Sequence, residues 1–323
     1  MKYGIIGTGW IAKSFIDGAR LVAGADIAAV YSRTREKGEA FAGENGIPEV
    51  FTDLDEFSKA SFDAVYIASP NALHYSQSLK MIEAGKHVIC EKPLAVTPDE
   101  IETCQNRAKE KGVIYLEAIM YMHTPDRDAF RQAVSKIGNI TSAHFDFTQL
   151  SSKYPAYLRG EVPNIFNPSL ATGSLMDLGV YCVYPAVDLF GIPREIKANA
   201  VFLNTGSDGS GNASLNYGDK LVTLTYSKTG QDRFGSQIYG DKGTITVESI
   251  SKTICITLID NSGNKTVICP DRVKEEIMGF EAKEFEHFIA CPDDPKYALC
   301  TRTSLEVSRI MEKIRNLSGI KFN

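Results

Sequence analysis

The stretch Tyr3-Gly4-Ile5-Ile6-Gly7-Thr8-Gly9-Trp10-Ile11-Ala12 decides the fold of the first part of this chain. An apolar, strand-like run leads into a glycine-rich turn, and a helix is predicted to begin near Gly9. The glycines allow a tight turn and a close approach of the backbone to a pyrophosphate, whose charge the N–H groups of the helix N-terminus favour. Glycines also mark ordinary turns, but this turn lies between a strand and a helix. The predicted dinucleotide-binding residues of the loop are Gly7, Thr8, Gly9, Trp10 and Ile11.

Residues 1–120 continue from this loop as an alternation of strand-like and helix-like segments. Such an alternation is typical of βαβ units and predicts an α/β domain with a doubly wound parallel sheet. The predicted strands are Tyr3–Ile6, Ile27–Tyr31, Val50–Phe51, Ala64–Ala68, Val88–Cys90 and Val113–Leu116. A helix is predicted to begin at Thr97, because Thr97 and Glu100 have the spacing of a capping box and Pro98 takes the first helical position.

The pattern changes after Ala118, and residues 121–323 are predicted to form a second, α+β domain. Strand-like runs follow one another there without helical crossovers, which predicts an open and mainly antiparallel sheet. The Gly-, Ser- and Asn-rich stretch Asn204–Asp219 is predicted to be a mobile loop. A last helix near Ser304–Asn316 is a candidate to pack back on the first domain. The cleft where the two domains meet is the expected site.

The composition excludes several classes of function. The 323 residues include 35 Lys and Arg and 40 Asp and Glu, for a formal net charge of −5. This balance gives no electrostatic reason to expect nucleic acid or an anionic membrane as a partner. We identify neither a membrane-length apolar run nor a signal peptide, which favours a cytoplasmic protein. The seven cysteines and five histidines lack metal-ligand spacing, so no metal is expected and the cysteines are interpreted as buried free thiols.

The end of the second predicted strand indicates the type of nicotinamide cofactor. NAD sites commonly place Asp or Glu there to bind the ribose hydroxyls, whereas this chain has Ser32-Arg33-Thr34-Arg35. Ser32 and Arg33 suit a 2′-phosphate, through a hydroxyl and a charge-assisted hydrogen-bonding fork. The alternative is that the two arginines lie on a solvated loop. NADP is therefore the favoured cofactor, and NAD stays open.

Two further segments carry groups that suit proton and hydride chemistry. Glu91-Lys92-Pro93 follows a predicted strand at the edge of the sheet where ligands bind, so Lys92 is placed to donate to a substrate oxygen. Asp177 and Tyr181 are four residues apart, and a helix would put both on one face. Each segment also has an ordinary interpretation, as a surface lysine in a turn and as an acidic helix N-terminus followed by a core tyrosine.

These motifs, in this order along the chain, resemble those of the Gfo/Idh/MocA oxidoreductases. They are Gly7–Ala12, Ser69-Pro70-Asn71 with His74, Ala84-Gly85-Lys86-His87, Glu91-Lys92-Pro93, Asp177–Tyr181 and Tyr239–Gly243. The resemblance covers nearly the whole chain. It implies a Rossmann domain joined to an α+β domain whose open sheet often mediates homodimers or homotetramers. It also implies further cofactor contacts at Ser69, Pro70, Asn71, His74, Glu91 and Lys92.

Tyr181 is similar to the tyrosine of one branch of this family, where many other members have histidine. That branch contains glucose–fructose oxidoreductase, dimeric dihydrodiol dehydrogenase and NADP-dependent xylose dehydrogenases, and Glu117-Ala118-Ile119-Met120 also resembles it. Its preference for NADP agrees with the interpretation of Arg33. Met122 stands where many relatives have a basic or polar residue, and Asn164 stands near a position that is often basic; both are expected to border the substrate.

The resemblance implies an enzyme that oxidises or reduces a sugar, polyol or dihydrodiol at a CH–OH group. In oxidation the hydroxyl must lose its proton, and an alkoxide without a base is too unstable near neutral pH. We interpret Tyr181 as the proton acceptor with Lys92 beside it, although Lys92 as the direct base is a close alternative. Asp177 would orient the substrate hydroxyl or hold Lys92. A catalytically silent dinucleotide sensor and a biliverdin-reductase-like enzyme are the competing functions. Candidate polyol-binding side chains are Lys153, Tyr154, Tyr157 and Asn164.

Overall fold

The computed structural model describes residues 1–322. The chain divides into two units. The first consists of Met1–His123 and Val273–Leu305, and the second of Thr124–Arg272 and the residues from Glu306 onward. The sequence interpretation assigned everything after residue 120 to one domain, whereas residues 273–305 pack with the N-terminal part of the chain.

A parallel sheet of six strands forms the centre of the first unit. Its strands are β1 (Lys2–Ile6), β2 (Asp26–Tyr31), β3 (Glu49–Phe51), β4 (Ala64–Ile67), β5 (His87–Glu91) and β6 (Tyr115–Ala118). The helices between and after them are α1 (Trp10–Gly18), α2 (Arg35–Asn45), α3 (Leu54–Lys59), α4 (His74–Glu83), α5 (Pro98–Lys111) and α6 (Met120–His123). The strand order β3-β2-β1-β4-β5-β6 confirms the predicted doubly wound sheet, with its reversal between β1 and β4.

The second unit is built on a sheet of eight strands. They are β7 (Ile140–Thr148), β8 (Glu195–Phe202), β9 (Asp208–Asn216), β10 (Leu221–Ser227), β11 (Ser236–Gly240), β12 (Gly243–Ser249), β13 (Ile254–Asp260) and β14 (Lys265–Cys269). The order is β14-β13-β12-β11-β7-β10-β9-β8. All neighbouring pairs are antiparallel except β7 and β10, which run parallel. The predicted class, an α/β sheet plus a mainly antiparallel α+β part, is therefore confirmed.

Helices complete the second unit and return the chain to the first. They are α7 (Asp126–Lys136), α8 (Tyr154–Leu158), α9 (Val180–Phe190), α10 (Lys274–Ala290) and α11 (Pro295–Ser318). The sequence analysis did not identify α10, which belongs to the first unit. The last helix was expected near Ser304–Asn316 and begins earlier, at Pro295. Its residues up to Leu305 belong to the first unit and those beyond to the second.

The predicted loop Asn204–Asp219 was wrong, because most of it is strand β9. Glycine, serine and asparagine suggested mobility, but the small residues there serve packing. A Cβ added to Gly211 would lie 2.4 Å from a ring carbon of Tyr226, and one added to Gly209 would lie 2.8 Å from Leu203. The composition of β9 therefore reflects close approach by neighbouring side chains.

One long apolar segment of the second unit is buried in the protein. The sequence analysis identified no membrane-length apolar run, whereas Pro168–Phe190 is long and apolar enough to cross a membrane by composition. However, 83% of its most apolar window is buried inside the protein. It is a core segment.

All seven cysteines are free thiols, and five are buried as expected, whereas Cys255 is half-buried and Cys291 is exposed.

Helices α1 and α10 cross at two glycines that leave no room for side chains. A Cβ on Gly18 would lie 2.3 Å from the Glu275 carbonyl oxygen, and one on Gly279 would lie 2.6 Å from the Gly18 carbonyl oxygen. Both obstacles are backbone atoms, which side-chain rotation cannot move. This crossing fixes α10 against the helix that follows the glycine-rich loop.

We expect Gly18→Ala to lower the free energy of unfolding by about 1–3 kcal/mol, because the added methyl overpacks a backbone contact. Gly43→Ala is the matched control, since Gly43 is exposed within α2 and a Cβ there meets no described atom within 4 Å. That substitution should raise the free energy of unfolding by about 0.4–1 kcal/mol. Urea denaturation of both variants measures the difference. Equal stability of the two variants would contradict this close helix crossing.

Candidate active site

The glycine-rich loop has the geometry of a dinucleotide-binding turn. Gly7 has φ +110, and a Cβ there would lie 2.5 Å from the Ala68 carbonyl oxygen, so the fold itself requires glycine. Gly9 is the N-cap of α1, and a Cβ there would meet no described atom within 4 Å. Its lack of a side chain leaves space in front of the helix N-terminus, where a pyrophosphate would accept hydrogen bonds from backbone N–H groups. The residues present therefore fit a bound dinucleotide.

Trp10 contacts Lys274, a residue that the sequence analysis did not assign to this loop. The indole is 71% exposed, and the Nζ atom of Lys274 lies 3.6 Å from its ring centroid. This is a cation–π contact between the first residue of α1 and the first residue of α10. No motif links the two positions, which are far apart in sequence, so only the packing of α10 shows them to be neighbours.

The two residues proposed for a 2′-phosphate lie directly after β2. Ser32 is buried, and its backbone N–H donates to the Phe51 carbonyl oxygen over 3.0 Å. Arg33 is exposed and has no hydrogen bond or ion pair within residues 1–322. Arg35, by contrast, forms an i,i+4 ion pair with Glu39, with a nitrogen–oxygen distance of 3.5 Å. The structure therefore distinguishes the arginines: Arg33 is available to a ligand and Arg35 is engaged on α2.

His74 connects the loops that follow β4 and β5. Its Nε2 atom lies 2.9 Å from the Ser69 carbonyl oxygen, and its Nδ1 atom lies 2.8 Å from the Pro93 carbonyl oxygen. Burial lowers the pKa of this imidazole, and the two carbonyl contacts oppose that effect. The half-buried residues Pro70 and Asn71 lie between Ser69 and the start of α4. Because both ring nitrogens contact backbone, the ring holds the two loops together.

Glu91 and Lys92 lie at the end of β5, with Glu91 turned inward. The Tyr66 hydroxyl donates to Glu91 Oε1 over 2.5 Å, and the Lys92 backbone N–H donates to Glu91 Oε2 over 3.2 Å. Burial raises the pKa of Glu91, and burial together with the Glu91 charge raises that of the neighbouring Glu281. Lys92 itself is half-buried, and the Lys92–Pro93 peptide bond is cis. The inward carboxylate thus fixes the backbone from which the Lys92 side chain extends.

Asp177 and Tyr181 are the accessible residues of an otherwise buried segment in the second unit. From Ala171 to Val187 these two side chains are partly exposed and every other residue is buried. Asp177 lies in a π-helical turn, Leu175–Gly179, that leads directly into α9. The interpretation as a core tyrosine is therefore wrong for Tyr181. A carboxylate and a phenol, four residues apart, are thus both partly exposed.

Phe147 and Lys228 lie next to this segment, where the central strands β7 and β10 of the second sheet end. Strands β7 and β10 are parallel, so their carboxyl ends lie together. The Phe147 ring, near the end of β7, packs edge-on against Tyr181 with centroids 5.4 Å apart. Lys228 directly follows β10, and its ammonium forms an ion pair with Asp177 Oδ2. The sequence analysis named neither Phe147 nor Lys228.

Asp208 holds the start of the same helical segment. Its Oδ2 atom accepts hydrogen bonds from Ser174 Oγ over 2.8 Å and from the Leu175 backbone N–H over 2.7 Å. Burial raises the pKa of Asp208 to about 6, although these hydrogen bonds and the positive charge of Lys228 oppose the rise. Gly173 must be glycine here, because a Cβ would lie 1.9 Å from Asp208 Oδ1.

The remaining predicted pocket residues differ in exposure. Met122 is buried in α6 of the first unit, with 1% of its surface exposed, so it is a packing residue there. Lys153 and Asn164 are exposed in the second unit. Tyr154 and Tyr157 are half-buried and stacked with ring centroids 5.7 Å apart. These two aromatic rings form a flat, partly accessible surface at α8.

One group of side chains in the first unit has the composition of a metal site. Ligand atoms of His123, Glu284 and Cys300 lie within 4.8 Å of one another. His123 Nδ1, however, lies 2.5 Å from Glu284 Oε2, a separation too short to admit an ion between them, and its Nε2 lies 3.0 Å from the Glu117 carbonyl oxygen. The Lys296 ammonium also forms an ion pair with Glu284. These contacts indicate a hydrogen-bonded core network.

Family models describe both parts of the chain. The model of an oxidoreductase family with an NAD-binding Rossmann fold, Gfo/Idh/MocA, matches residues 1–119, and the model of the Gfo/Idh/MocA C-terminal domain matches residues 130–246.

Similar proteins match over nearly the full length. A scyllo-inositol 2-dehydrogenase (NADP(+)), IolU, of Bacillus subtilis (strain 168) is 37% identical, covering 100% of this chain and 98% of the relative. A trans-1,2-dihydrobenzene-1,2-diol dehydrogenase of Sus scrofa is 26% identical over the same shares. Among solved structures, the 3-ketoreductase KijD10 of Actinomadura kijaniata with NADP and TDP-benzene has a TM-score of 0.86 at 20% identity, with 98% of each chain covered. The last comparison shows the same fold.

Proposed function

Because the chain belongs to the Gfo/Idh/MocA oxidoreductase family, we propose that it transfers hydride between NADP and a hydroxyl-bearing carbon of a polyol or sugar. The family confirms the resemblance inferred from the ordered motifs. The scyllo-inositol 2-dehydrogenase at 37% identity makes cyclic polyols the first substrates to test. Dihydrodiols are the next, on the similarity to the Sus scrofa enzyme.

The exposure of Asp177 and Tyr181 carries this proposal. They are the two partly exposed side chains of a segment whose other residues, from Ala171 to Val187, are buried. A phenol that can exchange a proton and a carboxylate that can accept hydrogen bonds suit a substrate with several hydroxyls. Membership of the family indicates the type of reaction, and these two residues are groups of the second unit suited to take part in it.

Each of the three proposed catalytic residues has a distinct role. When bound, the nicotinamide cofactor would supply the acceptor for the hydride of the carbinol carbon in oxidation. Tyr181, as the phenolate, accepts the hydroxyl proton and becomes the phenol, and the Lys92 ammonium donates a hydrogen bond to the same oxygen and favours its negative charge. Asp177 accepts a hydrogen bond from the substrate and fixes its orientation. Lys92 as the direct base is the alternative that kinetics must decide.

The first unit supplies the proposed cofactor site. Ser32 and Arg33 would bind the 2′-phosphate, and the pyrophosphate would be held by the loop residues Gly7, Thr8, Gly9, Trp10 and Ile11. Ser69, Pro70, Asn71 and the Glu91–Lys92 turn line the nicotinamide end. His74 contributes by tying these two loops together, since both of its ring nitrogens contact backbone carbonyls.

We expect Arg33→Ala to weaken NADPH binding by about 10- to 100-fold and to leave NADH binding within about twofold. A charge-assisted hydrogen bond of about 1.5–3 kcal/mol would be lost with the guanidinium, and NADH has no group for it to bind. Paired fluorescence titrations with the two cofactors measure this. Arg35→Ala is the matched control, because Arg35 pairs with Glu39. Equal losses for NADPH and NADH, or a tighter wild-type complex with NADH, would overturn the 2′-phosphate assignment.

A panel assay tests the function itself. Purified protein with NADP is offered inositols, aldoses, acyclic polyols and dihydrodiols, and NADPH formation is followed by absorbance. We expect turnover with at least one class. Tight NADPH binding without turnover of any member would favour the dinucleotide sensor, and binding of neither cofactor would contradict the proposed site.

We also propose that the enzyme is cytoplasmic and oligomeric through the second sheet. Along β9 and β10 buried residues alternate with more exposed Ser, Asn and Thr side chains, and Val201 and Leu221 are exposed at 68% and 52%. Such an uncovered sheet face is suited to pairing with a second copy. Light scattering after gel filtration tests this, and a monomer at micromolar concentration would contradict it.

A further inference from the structure

We propose that Lys228 is a positioning residue for the reaction, whose ammonium fixes Asp177 in the orientation that accepts a hydrogen bond from the substrate. This inference rests on the proposed function of Asp177. Lys228 is 5% exposed, and its side chain extends to Asp177 Oδ2. It would act through Asp177 and would not itself contact the substrate.

The backbone around Lys228 is fixed on two sides. Its N–H donates to the Gly209 carbonyl oxygen over 2.9 Å, and its carbonyl oxygen accepts from the Ser151 N–H over 2.9 Å. Lysine is normally among the most mobile side chains, and burial removes most of that freedom. An ammonium whose backbone and stem are both held can define the position of its partner.

Asp177 lies in an uncommon type of helical turn. This turn is π-helical, and helices of this type are rare and occur frequently at functional sites. A carboxylate has two oxygens with about four acceptor positions, and Lys228 engages Oδ2. Pairing with Lys228 is therefore compatible with a further hydrogen bond from a substrate hydroxyl, and the ion pair sets the orientation of the carboxylate.

The carboxylate charges around Lys228 explain why a lysine is tolerated at this buried place. A buried ammonium is unfavourable unless it is paired. Asp177 forms its ion pair, and Asp208 is close enough for the positive charge of Lys228 to oppose the burial-induced rise of its pKa. Asp208 in turn binds the Leu175 N–H at the start of the π-helical turn. Lys228 thus pairs with the residue proposed to bind the substrate, and its charge also acts on the residue that anchors the turn.

A double-mutant cycle tests the proposal. Lys228→Met should lower kcat/KM for the best polyol or sugar by about 10²-fold, which is the loss expected for a displaced catalytic group. The Kd for NADPH should stay within about twofold. In an Asp177→Asn background the same substitution should cause almost no further loss, because Lys228 acts through Asp177. Lys228→Arg, which keeps the charge, should restore at least tenfold of the activity.

Two controls separate positioning from general damage. Lys197→Met removes an exposed lysine of the same sheet and should leave all parameters unchanged. Near-UV circular dichroism compares the packing of each variant with that of the wild type. If Lys228→Met does not fold, the same kinetic comparison is made with Lys228→Arg.

The outcomes distinguish the two proposals. Losses that add in the double variant, a fully active Lys228→Met, or an arginine variant as impaired as the methionine variant would overturn the role of Lys228 alone. A wild-type protein that turns over no member of the substrate panel would overturn the proposed function and this inference together.

Discussion

Tyr181→Phe is expected to lower turnover by about 10²-fold or more while leaving the Kd for NADPH unchanged. The substitution removes only the hydroxyl, and the ring keeps its edge-on contact with Phe147. The magnitude is that of a lost general acid–base group, about 10²- to 10⁴-fold. Steady-state kinetics with the best substrate and a fluorescence titration with NADPH measure the two quantities.

The pH profile gives Tyr181→Phe a second readout. If the phenol accepts the proton, the wild-type rate should fall on the acidic side and the residual rate of the variant should lose that dependence. Tyr239→Phe is the matched control, because Tyr239 is 40% exposed on β11 and should behave as wild type. Turnover of Tyr181→Phe within threefold of wild type would remove the tyrosine from the mechanism.

Lys92→Met is expected to lower kcat by about 10³-fold, the second large effect. The substitution removes a cation next to the oxygen on which charge develops, and losses of about 10²- to 10³-fold are typical when one such donor is removed. The backbone should be retained, since Glu91 is held by the Tyr66 hydroxyl and by the Lys92 N–H, and neither contact uses the ammonium. Rapid-mixing and steady-state kinetics report the change.

Comparison with Lys92→Arg distinguishes the two candidate bases. Arginine keeps the charge but cannot lose a proton in proteins, so it should recover part of the activity if lysine only stabilises charge. An arginine variant as inactive as Lys92→Met, together with a nearly active Tyr181→Phe, would assign the base to Lys92. Lys59→Met, an exposed lysine at the end of α3, controls for loss of charge, and an unimpaired Lys92→Met would exclude any catalytic role.

Local rules were sufficient for most of the first unit. The strand–glycine–helix pattern placed β1 and α1, and the capping box at Thr97 is present, with both reciprocal hydrogen bonds. Strand β6 was placed too early, beginning at Val113 where the structure has Tyr115, because a short apolar run does not mark its own ends. Helix α10 was missed, because it packs against helix α1, which lies near the other end of the sequence.

Packing overrode composition in the second unit. The residues of β9 have the composition of a loop, but glycines there admit the Tyr226 ring and the Leu203 side chain. The parallel pairing of β7 with β10 is equally invisible in sequence, because strands distant along the chain pair only when the sheet is assembled. That pairing places Phe147 and Lys228 next to each other at the carboxyl ends of these two strands.

The sequence by itself determined the doubly wound parallel sheet, the dinucleotide loop and the order of motifs that places the chain in its family. Each of these depends on residues close together along the chain, where spacing fixes geometry. Only the tertiary structure decided that Arg33 and not Arg35 is available to a ligand, that Asp177 and Tyr181 are the accessible residues of a buried segment, and that Lys228 holds Asp177. These are properties of burial and of long-range contacts, which arise when distant segments pack and which no local pattern encodes.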